Sequence, residues 1–512
     1  MFSFSAYMGA ILVAWRVLRF LRLLHAHGYV KGYRPLLDPH SLPGNAIPAN
    51  WWHMGFMWPW IQRKNAHFNH THDLTTLIPL LMGNGAYFAA SVGVVKQIWG
   101  NDARAGLLKP VDFTTESVWG TSIVSANGED WKRHRRVVAP AFTTKLFSRV
   151  VQESASLYSS MKHELGSDRV IADLRSLLHR FTLVMVCRCG FGMAVSWNQS
   201  GTSQDELAIF DRALSVASST LVHRLIFPKW VWSLPIKSLR HIDQSWKTVL
   251  TLLDSIAASK QAQYSSEKEL GEEHAKDLFT KLISATDEDS KYTLTPSEVT
   301  GNMLSLLFAG NETTASALMS TLVFLGLYPE EQEKAYQEIL REVKSIADMD
   351  LRDVANLKYV LACMHEAHRL VPATINLPRD VPEDMIIRSD RPVQKDILVK
   401  AGSRIIIDTM AVCHNPHDFP NPETFNPSRW HDVPDHDIIM FGSGPRACVG
   451  RRFAQTEAVC FLAHFLRDWE VETVLLEGET REECFERIMA GASLYGTAFG
   501  LGEVPVRIRA RD

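Results

Sequence analysis

Residues 441–454 read FGSGPRACVGRRFA, and this stretch decides the fold. Gly442, Gly444 and Gly450 let the backbone bend closely around a neighbouring side chain, as a shielded metal-binding sulfur requires. Cys448 lies at the predicted start of a helix, where free N–H groups and the helix dipole stabilise a thiolate. The stretch therefore suits a thiolate that binds a metal ion, with Cys448 as its sulfur.

A cysteine before a helix is usually an inert core residue, so the prediction depends on the spacing around it. That spacing is Phe441-x-x-Gly444-x-Arg446-x-Cys448-x-Gly450. Through it the chain resembles the cytochrome P450 family, and the stretch resembles the family's cysteine ligand loop. The resemblance implies a haem b whose iron is bound by Cys448, and a thiolate that favours O–O cleavage. It also implies that Phe441, Gly442 and Gly450 surround the cofactor and that Arg446 reaches a propionate.

A second motif, Ala309-Gly310-Asn311-Glu312-Thr313-Thr314, lies inside a long predicted helix. This helix begins at a capping box over residues 295–298, with a proline at the first helical position, and ends near Leu327. Gly310 costs the helix about 1 kcal/mol relative to alanine, so it needs a reason. The resemblance implies that the stretch opens the helix to admit O2 over the haem. It further implies that Thr313 holds the bound oxygen and its proton relay, with Glu312 as the acid beside it.

Ser305, Ala309 and Thr313 are four residues apart, so they share one helix face. We expect this face to lie over the iron, with Ala309 against the cofactor. The other expected pocket residues are Trp119, Leu306, Ala373, Thr374 and Ile375. This mostly apolar lining suits a terpenoid, a polyketide, a fatty acid, a steroid or a xenobiotic alike.

A buried triad is expected behind the haem. Glu366 and Arg369 are three residues apart on a predicted helix and can pair. The segment FNPSRW resembles the family loop whose arginine, here Arg429, completes the triad. Ser428 and Trp430 stand where many members have Glu and Phe, which leaves the arginine in place. The roles implied for the three residues are structural.

Cationic and aromatic residues are expected to bind the haem propionates. Trp131 and Arg135 are one helical turn apart and match the family's propionate-binding helix. Arg379 and Arg446 also fit this role. Because haem carries two carboxylates, several donors are required.

The fold class expected is mainly α with small β-sheets, because most of the chain has helical periodicity and few segments alternate as strands do. The resemblance implies the cytochrome P450 fold, a triangular α-rich prism with the long central helix over the haem. No linker, repeat or charge run marks a further domain, so residues 61–512 are expected to form one catalytic domain.

Residues 1–24 are expected to form an N-terminal membrane anchor. The run from Phe2 to Trp15 is uncharged and mostly apolar, and the arginines after it hold the following chain on the cytosolic side. The run is shorter than the roughly 20 residues that span a bilayer, so an interfacial or buried helix remains open. Residues 25–60 are expected to be a linker, in which WWHMGFMWPW is either a second membrane contact or a packed aromatic loop. The expected location is the endoplasmic reticulum membrane, with the catalytic domain on the cytosolic face.

Composition supports a globular protein with a large core, since 46% of the 512 residues are hydrophobic and 22% are charged. The net charge of -3 gives no support for a nucleic-acid partner. The seven cysteines include no CxxC pair, and the six besides Cys448 are expected to be small buried residues. His67, His70 and His72 are a weak candidate metal site.

The implied activity is that of a monooxygenase, which inserts one atom of O2 into an apolar C–H or C=C bond and reduces the other to water. The segment after Cys448 is too short for a flavin domain and no GxGxxG loop is evident. Electrons are therefore expected from NADPH through a separate cytochrome reductase. Lys132, Arg133 and Arg136 are candidates for its docking surface, or else solvated charges.

The expected protein is monomeric, binds membrane lipid and resembles fungal members that act on secondary metabolites. A haem sensor or carrier without turnover is the alternative from another class. Such a protein would not need the Glu312-Thr313 pair.

Overall fold

The structure, a computed structural model, describes residues 2–64, 70–104, 106–110, 120–193, 195–197, 206–270, 278–286 and 292–511. Trp119 of the expected pocket and His67 of the histidine cluster lie outside these residues.

Helices dominate the described chain. In chain order they are α1 (Phe2–Ala26), α2 (Leu42–Ala46), α3 (Trp58–Ile61), α4 (Val92–Arg104), α5 (Gly128–Val138), α6 (Thr144–Leu165), α7 (Leu174–Met185), α8 (Glu206–Ser219), α9 (Leu221–Ile226), α10 (Lys237–Leu270), α11 (Leu278–Ile283), α12 (Pro296–Leu327), α13 (Pro329–Glu342), α14 (Leu351–Asn356), α15 (Lys358–Leu370), α16 (Thr409–Cys413), α17 (Arg451–Asp468) and α18 (Arg481–Ala490). A π-helical turn, Val186–Gly190, continues α7.

The strands are short. They are β1 (Gly32–Tyr33), β2 (Leu74–Leu77), β3 (Ala86–Ala89), β4 (Asp168–Ile171), β5 (Asn376–Asp380), β6 (Met385–Ser389), β7 (Lys395–Val399), β8 (Arg404–Asp408), β9 (Trp469–Thr473), β10 (Ser493–Tyr495), β11 (Ala498–Gly500) and β12 (Val506–Ala510). The prediction of a mainly α fold with small sheets is confirmed.

The contacts between described residues divide the chain into two compact units. The first unit consists of Met1–Pro110, Thr374–Thr424 and His436–Ala447, and the second of Val111–Ala373, Phe425–Asp435 and Cys448–Asp512. The boundaries predicted at residues 24 and 60 stay predictions.

The first unit is built on a five-stranded mixed sheet in the order β1-β2-β3-β8-β5. Strand β8 pairs in parallel with β3, Ile405 lying opposite Tyr87, and antiparallel with β5, where Ile405 lies opposite Arg379. Burial of the apolar side chains of β3, β8 and α4 forms the core of this unit. The hairpin β6–β7 packs beside it.

The second unit surrounds the long helix α12. Thr295 is its N-cap, Glu298 completes a capping box and Pro296 occupies the first helical position, as predicted. The helix ends at Leu327, just before Tyr328 and a proline that cannot continue it. It packs against α7, α15 and β9, and most of its residues are buried. The predicted long buried helix is therefore confirmed.

Glu298 also fixes α5, the helix that carries Trp131 and Arg135. Its carboxylate accepts hydrogen bonds from both terminal nitrogens of Arg133, at 2.5 and 2.9 Å, and from the Thr295 N–H at 2.8 Å. The Arg133 hydrogen bonds lower the pKa of Glu298 to about 2, so the pair is ionised at neutral pH.

The N-terminal helix α1 joins the first unit through its arginines. Arg16 donates to the carbonyl of Leu81, and Arg19 donates to the carbonyl of Gly83 at 2.6 Å. None of the helices in the described ranges combines the length and the apolar character needed to cross a membrane.

Candidate active site

The loop before Cys448 has the bends that the sequence predicts at two of its glycines. Gly442 and Gly444 have φ of 68° and 70°, in the left-handed region that favours glycine. A Cβ on Gly444 would also lie 2.7 Å from the carbonyl oxygen of Trp99 in α4. Gly450 differs, because its φ of -87° is open to any residue. The bend expected at Gly450 therefore does not depend on glycine's conformational freedom.

Cys448 precedes the start of α17, whose N-cap is Gly450. The backbone N–H groups of Gly450 and Arg451 donate to its sulfur, as the prediction of a helix-start thiolate requires. Its side chain is exposed, whereas the other six cysteines are buried and none is in a disulfide. The prediction for those six is confirmed, and Cys448 is the one thiol of the chain open to a ligand.

Effects of opposite sign act on the pKa of the Cys448 thiol. Although the residue is exposed, protein atoms crowd the sulfur, and this desolvation raises the pKa of the Cys448 thiol above its ordinary value. The Gly450 N–H and the charges of Arg451 and Arg135 act in the opposite direction. A bound metal ion removes the proton from a ligating thiol outright. In that state the same N–H donors and positive charges stabilise the thiolate.

A narrow stripe interrupts the buried surface of α12; it is exposed at Ala309 and half-buried at its other three positions. Between residues 301 and 325 every side chain is buried except at four positions, which are Leu306, Ala309, Gly310 and Thr313. These positions follow the i, i+3, i+4, i+7 pattern of one helix face. Ala309 and Thr313 of the expected face lie on this stripe, whereas Ser305 is buried and its hydroxyl donates to Ser122 Oγ at 2.9 Å. The position of this face over the iron stays a prediction.

Gly310 does not open the helix. The α-helical hydrogen bonding of α12 continues through it, and the Thr313 hydroxyl donates to the Ala309 carbonyl at 2.6 Å. The described helix is therefore not opened at this stretch, in contrast to what the resemblance implies. A Cβ on Gly310 would lie 2.9 Å from Cγ2 of Val186, so the glycine instead permits close packing of α12 on the π-helical turn.

Glu312, next to Thr313 in the chain, is buried beside the exposed stripe. Its buried carboxylate accepts hydrogen bonds from the hydroxyls of Ser218 and Thr497 and from the Thr497 N–H at 2.5 Å. Gly496 makes room for this cluster, because a Cβ there would lie 2.4 Å from Glu312 Oε1. Burial raises the pKa of Glu312 to about 6, although the Thr497 hydrogen bonds and the charge of Arg175 act against it. Glu312 can therefore exchange a proton near neutral pH.

The predicted triad is assembled around Glu366. Arg369 donates from Nε and Nη2 at 2.9 and 2.8 Å, and Arg429 donates from Nε at 3.1 Å. The Asn426 N–H, at 3.1 Å, and the Trp430 indole N–H, at 3.0 Å, complete the set. Glu366 and Arg369 are fully buried, so these bonds replace the water that both charges have lost.

The expected propionate donors lie in both units. In the second unit, Trp131 and Arg135 are half-buried on α5, burial lowers the pKa of Arg135, and its charge interacts with Cys448. In the first unit, Arg446 is half-buried, while Arg379 is buried on β5 and donates to the Pro378 carbonyl at 3.0 Å.

The remaining predicted residues differ in exposure. Phe441 is buried in a 3-10 turn, Ile439–Phe441. Ala373 and Ile375 are buried, and Thr374 between them is exposed. The Ala373 carbonyl accepts the Phe499 N–H at 2.8 Å, which ties it to β11.

Sequence reasoning missed the partners of Glu312 and of Gly310, and it missed two of the partners of Glu366, the Asn426 N–H and the Trp430 indole. Ser218 and Thr497 are 94 and 185 residues from Glu312, and no local pattern joins them. The indole N–H of Trp430 was a usable signal, since a buried tryptophan usually finds an acceptor.

Comparison with known proteins identifies the family. The cytochrome P450 family model matches residues 81–495. Cytochrome P450 monooxygenase 124 of the fungus Postia placenta is 28% identical, over 85% of this chain and 85% of its own. The cyclooctat-9-en-7-ol 5-monooxygenase of Streptomyces melanosporofaciens is 25% identical, over 76% of this chain and 81% of its own. The leukotriene-B4 omega-hydroxylase 3 of Mus musculus is 25% identical, over 72% of each chain.

The chain belongs to the cytochrome P450 family, and it is an oxidoreductase that incorporates oxygen from O2. Membership implies a haem-thiolate cofactor. The residues present fit that group, because one exposed thiol receives two N–H donors from the start of α17 and the charges of Arg451 and Arg135 act on it.

Proposed function

We propose that this protein hydroxylates or epoxidises an apolar small molecule on the exposed stripe of α12. The proposal is supported above all by the composition of this stripe, in which the Thr313 hydroxyl is the one polar side-chain group beside Leu306, Ala309 and Gly310. An apolar surface with a single polar group binds a hydrocarbon skeleton and orients it only weakly by hydrogen bonding. Ala373, Thr374 and Ile375 are further candidates for substrate contact.

In this proposal Cys448 holds the iron through its sulfur, and its Gly450 and Arg451 N–H donors stabilise the negative charge there. Trp131, Arg135, Arg379 and Arg446 supply donors for the two carboxylates. The haem, when bound, supplies the O2 chemistry. Glu366, Arg369 and Arg429 hold the chain behind it.

Thr313 and Glu312 have different roles in proton transfer in this proposal. The Thr313 hydroxyl lies on the exposed stripe and can turn from the Ala309 carbonyl to a bound polar group. Glu312, whose pKa is about 6, supplies a proton-exchanging group one residue away on a neighbouring face. Ser218 and Thr497 orient its carboxylate.

The substrate class that we propose is a secondary metabolite, a terpenoid or a polyketide. A similar fungal monooxygenase and a relative named for a cyclic alkenol support it. A relative named for leukotriene B4 supports the alternative, a fatty-acid hydroxylase of the same family. A steroid or xenobiotic substrate would occupy the same apolar face.

We further propose that electrons come from NADPH through a separate cytochrome reductase at the endoplasmic reticulum membrane. Lys132 and Arg136 are exposed on α5 and suit an acidic partner. Arg133 suits it less well, because Glu298 and Asp130 already bind its guanidinium, and the Lys132 ammonium donates to Glu129 at 2.6 Å. Exposed aromatic residues, among them Trp15 and Trp51, support contact with membrane lipid.

The test of the haem site is the absorption of the reduced protein with CO. We expect the band characteristic of a thiolate-ligated haem in the wild type and its loss in Cys448→Ala. Cys460→Ala, which removes a buried thiol from α17, the helix that follows Cys448, should keep the band. A histidine-type band in the wild type, or an unchanged band in Cys448→Ala, would contradict the assignment.

The substrate is tested by incubating the purified protein with a reductase, NADPH and a panel of terpenes, polyketides and fatty acids. Products carrying one added oxygen from a single chemical class would identify the substrate class. Oxidation of fatty acids alone would favour the alternative.

A further inference from the structure

Arg451, in the first turn of α17, combines proximity to the thiolate with little exposure. Its backbone N–H donates to the Cys448 sulfur, and its charge acts on that sulfur more strongly than the charge of Arg135. Its guanidinium donates to Asp435 through the backbone oxygen at 2.6 Å and through Oδ2 at 3.2 Å. The side chain is only 13% exposed, so this cation is poorly placed to meet a partner protein.

Asp435 is held in place from a second side. Gln455, one turn further along α17, donates to its Oδ1 at 3.0 Å and contacts Nε2 of His365 at 3.2 Å. Partial burial would raise the pKa of Asp435, but the hydrogen bonds from Gln455 and Arg451 and the Arg451 charge hold it below its ordinary value. The carboxylate is therefore ionised at neutral pH. Two opposite charges are thus paired at the start of α17, and the positive one, Arg451, acts on the sulfur.

We propose that Arg451 and Asp435 form a charge pair that sets the reduction potential of the iron bound at Cys448, which makes both of them positioning and tuning residues of the haem site. The inference rests on the proposed function of Cys448. One-electron reduction of ferric to ferrous iron adds one negative charge to the haem-thiolate centre and needs no proton. A nearby cation stabilises the reduced form, and an anion destabilises it.

The two partners therefore have effects of opposite sign. Removing the charge of Arg451 disfavours reduction, whereas removing the charge of Asp435 favours it. The Asp435 effect is the smaller because its side chain is 62% exposed and solvent screens it.

Arg452 provides a matched control. It is the next residue of α17 and carries the same charge, but its side chain is exposed, and its guanidinium lies 4.9 Å from the ring centre of Phe147. Its charge is not among the largest influences on the Cys448 sulfur, whereas that of Arg451 is. Arg452→Gln thus removes one positive charge from the same helix turn without removing the one beside the thiolate.

The experiment is a spectroelectrochemical titration of the haem-loaded, substrate-free protein. We expect Arg451→Gln to lower the equilibrium constant for one-electron reduction about tenfold, which is a potential lower by about 59 mV. Asp435→Asn should raise that constant about threefold, and Arg452→Gln should leave it within twofold of the wild type.

Equal shifts in Arg451→Gln and Arg452→Gln would show a net-charge effect and overturn the proposal, as would shifts of the same sign in Arg451→Gln and Asp435→Asn. The CO band, recorded on each variant, separates this outcome from failure of the haem assignment. If the wild type lacks the thiolate band, the proposed function fails. If all variants keep the band and their potentials agree, only the charge-pair inference fails.

Discussion

Substitution of Gly310 by alanine tests whether this glycine serves packing or helix opening. Alanine should stabilise an uninterrupted helix by about 1 kcal/mol, because glycine has more backbone entropy to lose on folding. In this chain the new Cβ would lie 2.9 Å from Cγ2 of Val186. Val186 is buried and β-branched, so its methyl group cannot rotate away freely.

Overpacking of this kind costs about 2 kcal/mol, which outweighs the helix term. We therefore expect Gly310→Ala to lower the free energy of unfolding by about 1 kcal/mol. In the Val186→Ala background the clash is absent, and the same substitution should instead stabilise by about 1 kcal/mol. The coupling between the two sites is then about 2 kcal/mol.

The assay is urea denaturation of the four proteins of this double-mutant cycle, followed by far-UV circular dichroism under identical conditions. Gly100→Ala is the control, because this exposed glycine of α4 has no atom within 4 Å of an added Cβ. Gly100→Ala should raise the free energy of unfolding both with Val186 and in the Val186→Ala background. If Gly310→Ala has the same effect with Val186 as without it, close packing is not the reason for the glycine.

Two further substitutions test buried carboxyl groups. Trp430→Phe removes one hydrogen bond to Glu366, which also accepts from two arginines, and should cost about 2 kcal/mol of unfolding free energy in urea denaturation. The control is Trp469→Phe, whose indole donates to the neutral Tyr158 hydroxyl. A loss no larger than in this control would contradict the expectation. Glu457 is fully buried, and neither of its carboxyl oxygens has a hydrogen-bond partner among the described residues. Burial raises its pKa well above the ordinary 4.5, so the native state keeps a proton that the unfolded state loses. The free energy of unfolding should therefore fall as pH rises above 4.5, by up to about 1.4 kcal/mol per pH unit. Glu457→Gln should flatten this dependence in thermal unfolding measured from pH 5 to 8. An unchanged slope in the variant would show that the carboxyl is ionised in the native state.

Local patterns in the sequence predicted the parts of this fold that depend on neighbouring residues. The capping box at Thr295 and Glu298 marks the start of α12 because its two hydrogen bonds form within three residues. The pairing of Glu366 with Arg369 follows from the helix repeat. The spacing around Cys448 likewise needs no tertiary information.

Contacts between distant segments could not be predicted in this way. The cost of Gly310 to a helix is visible in the sequence, but its neighbour Val186 belongs to a turn whose π-helical geometry has no sequence signature. Glu312 was placed beside Thr313 by resemblance, yet its direction is decided by hydroxyl groups on α8 and on the β10–β11 turn. Which side of a helix a polar residue faces depends on partners that only the folded chain brings near.

The distribution of the cysteines has a practical consequence for handling the protein. Six thiols are shielded inside the fold, so an alkylating reagent that reaches the native chain has one sulfur to modify, that of Cys448. Since a sulfur bound to iron cannot be alkylated, the mass added by such a reagent counts the fraction of molecules without cofactor. The single accessible thiol thereby becomes an internal gauge of haem loading that needs neither substrate nor reductase.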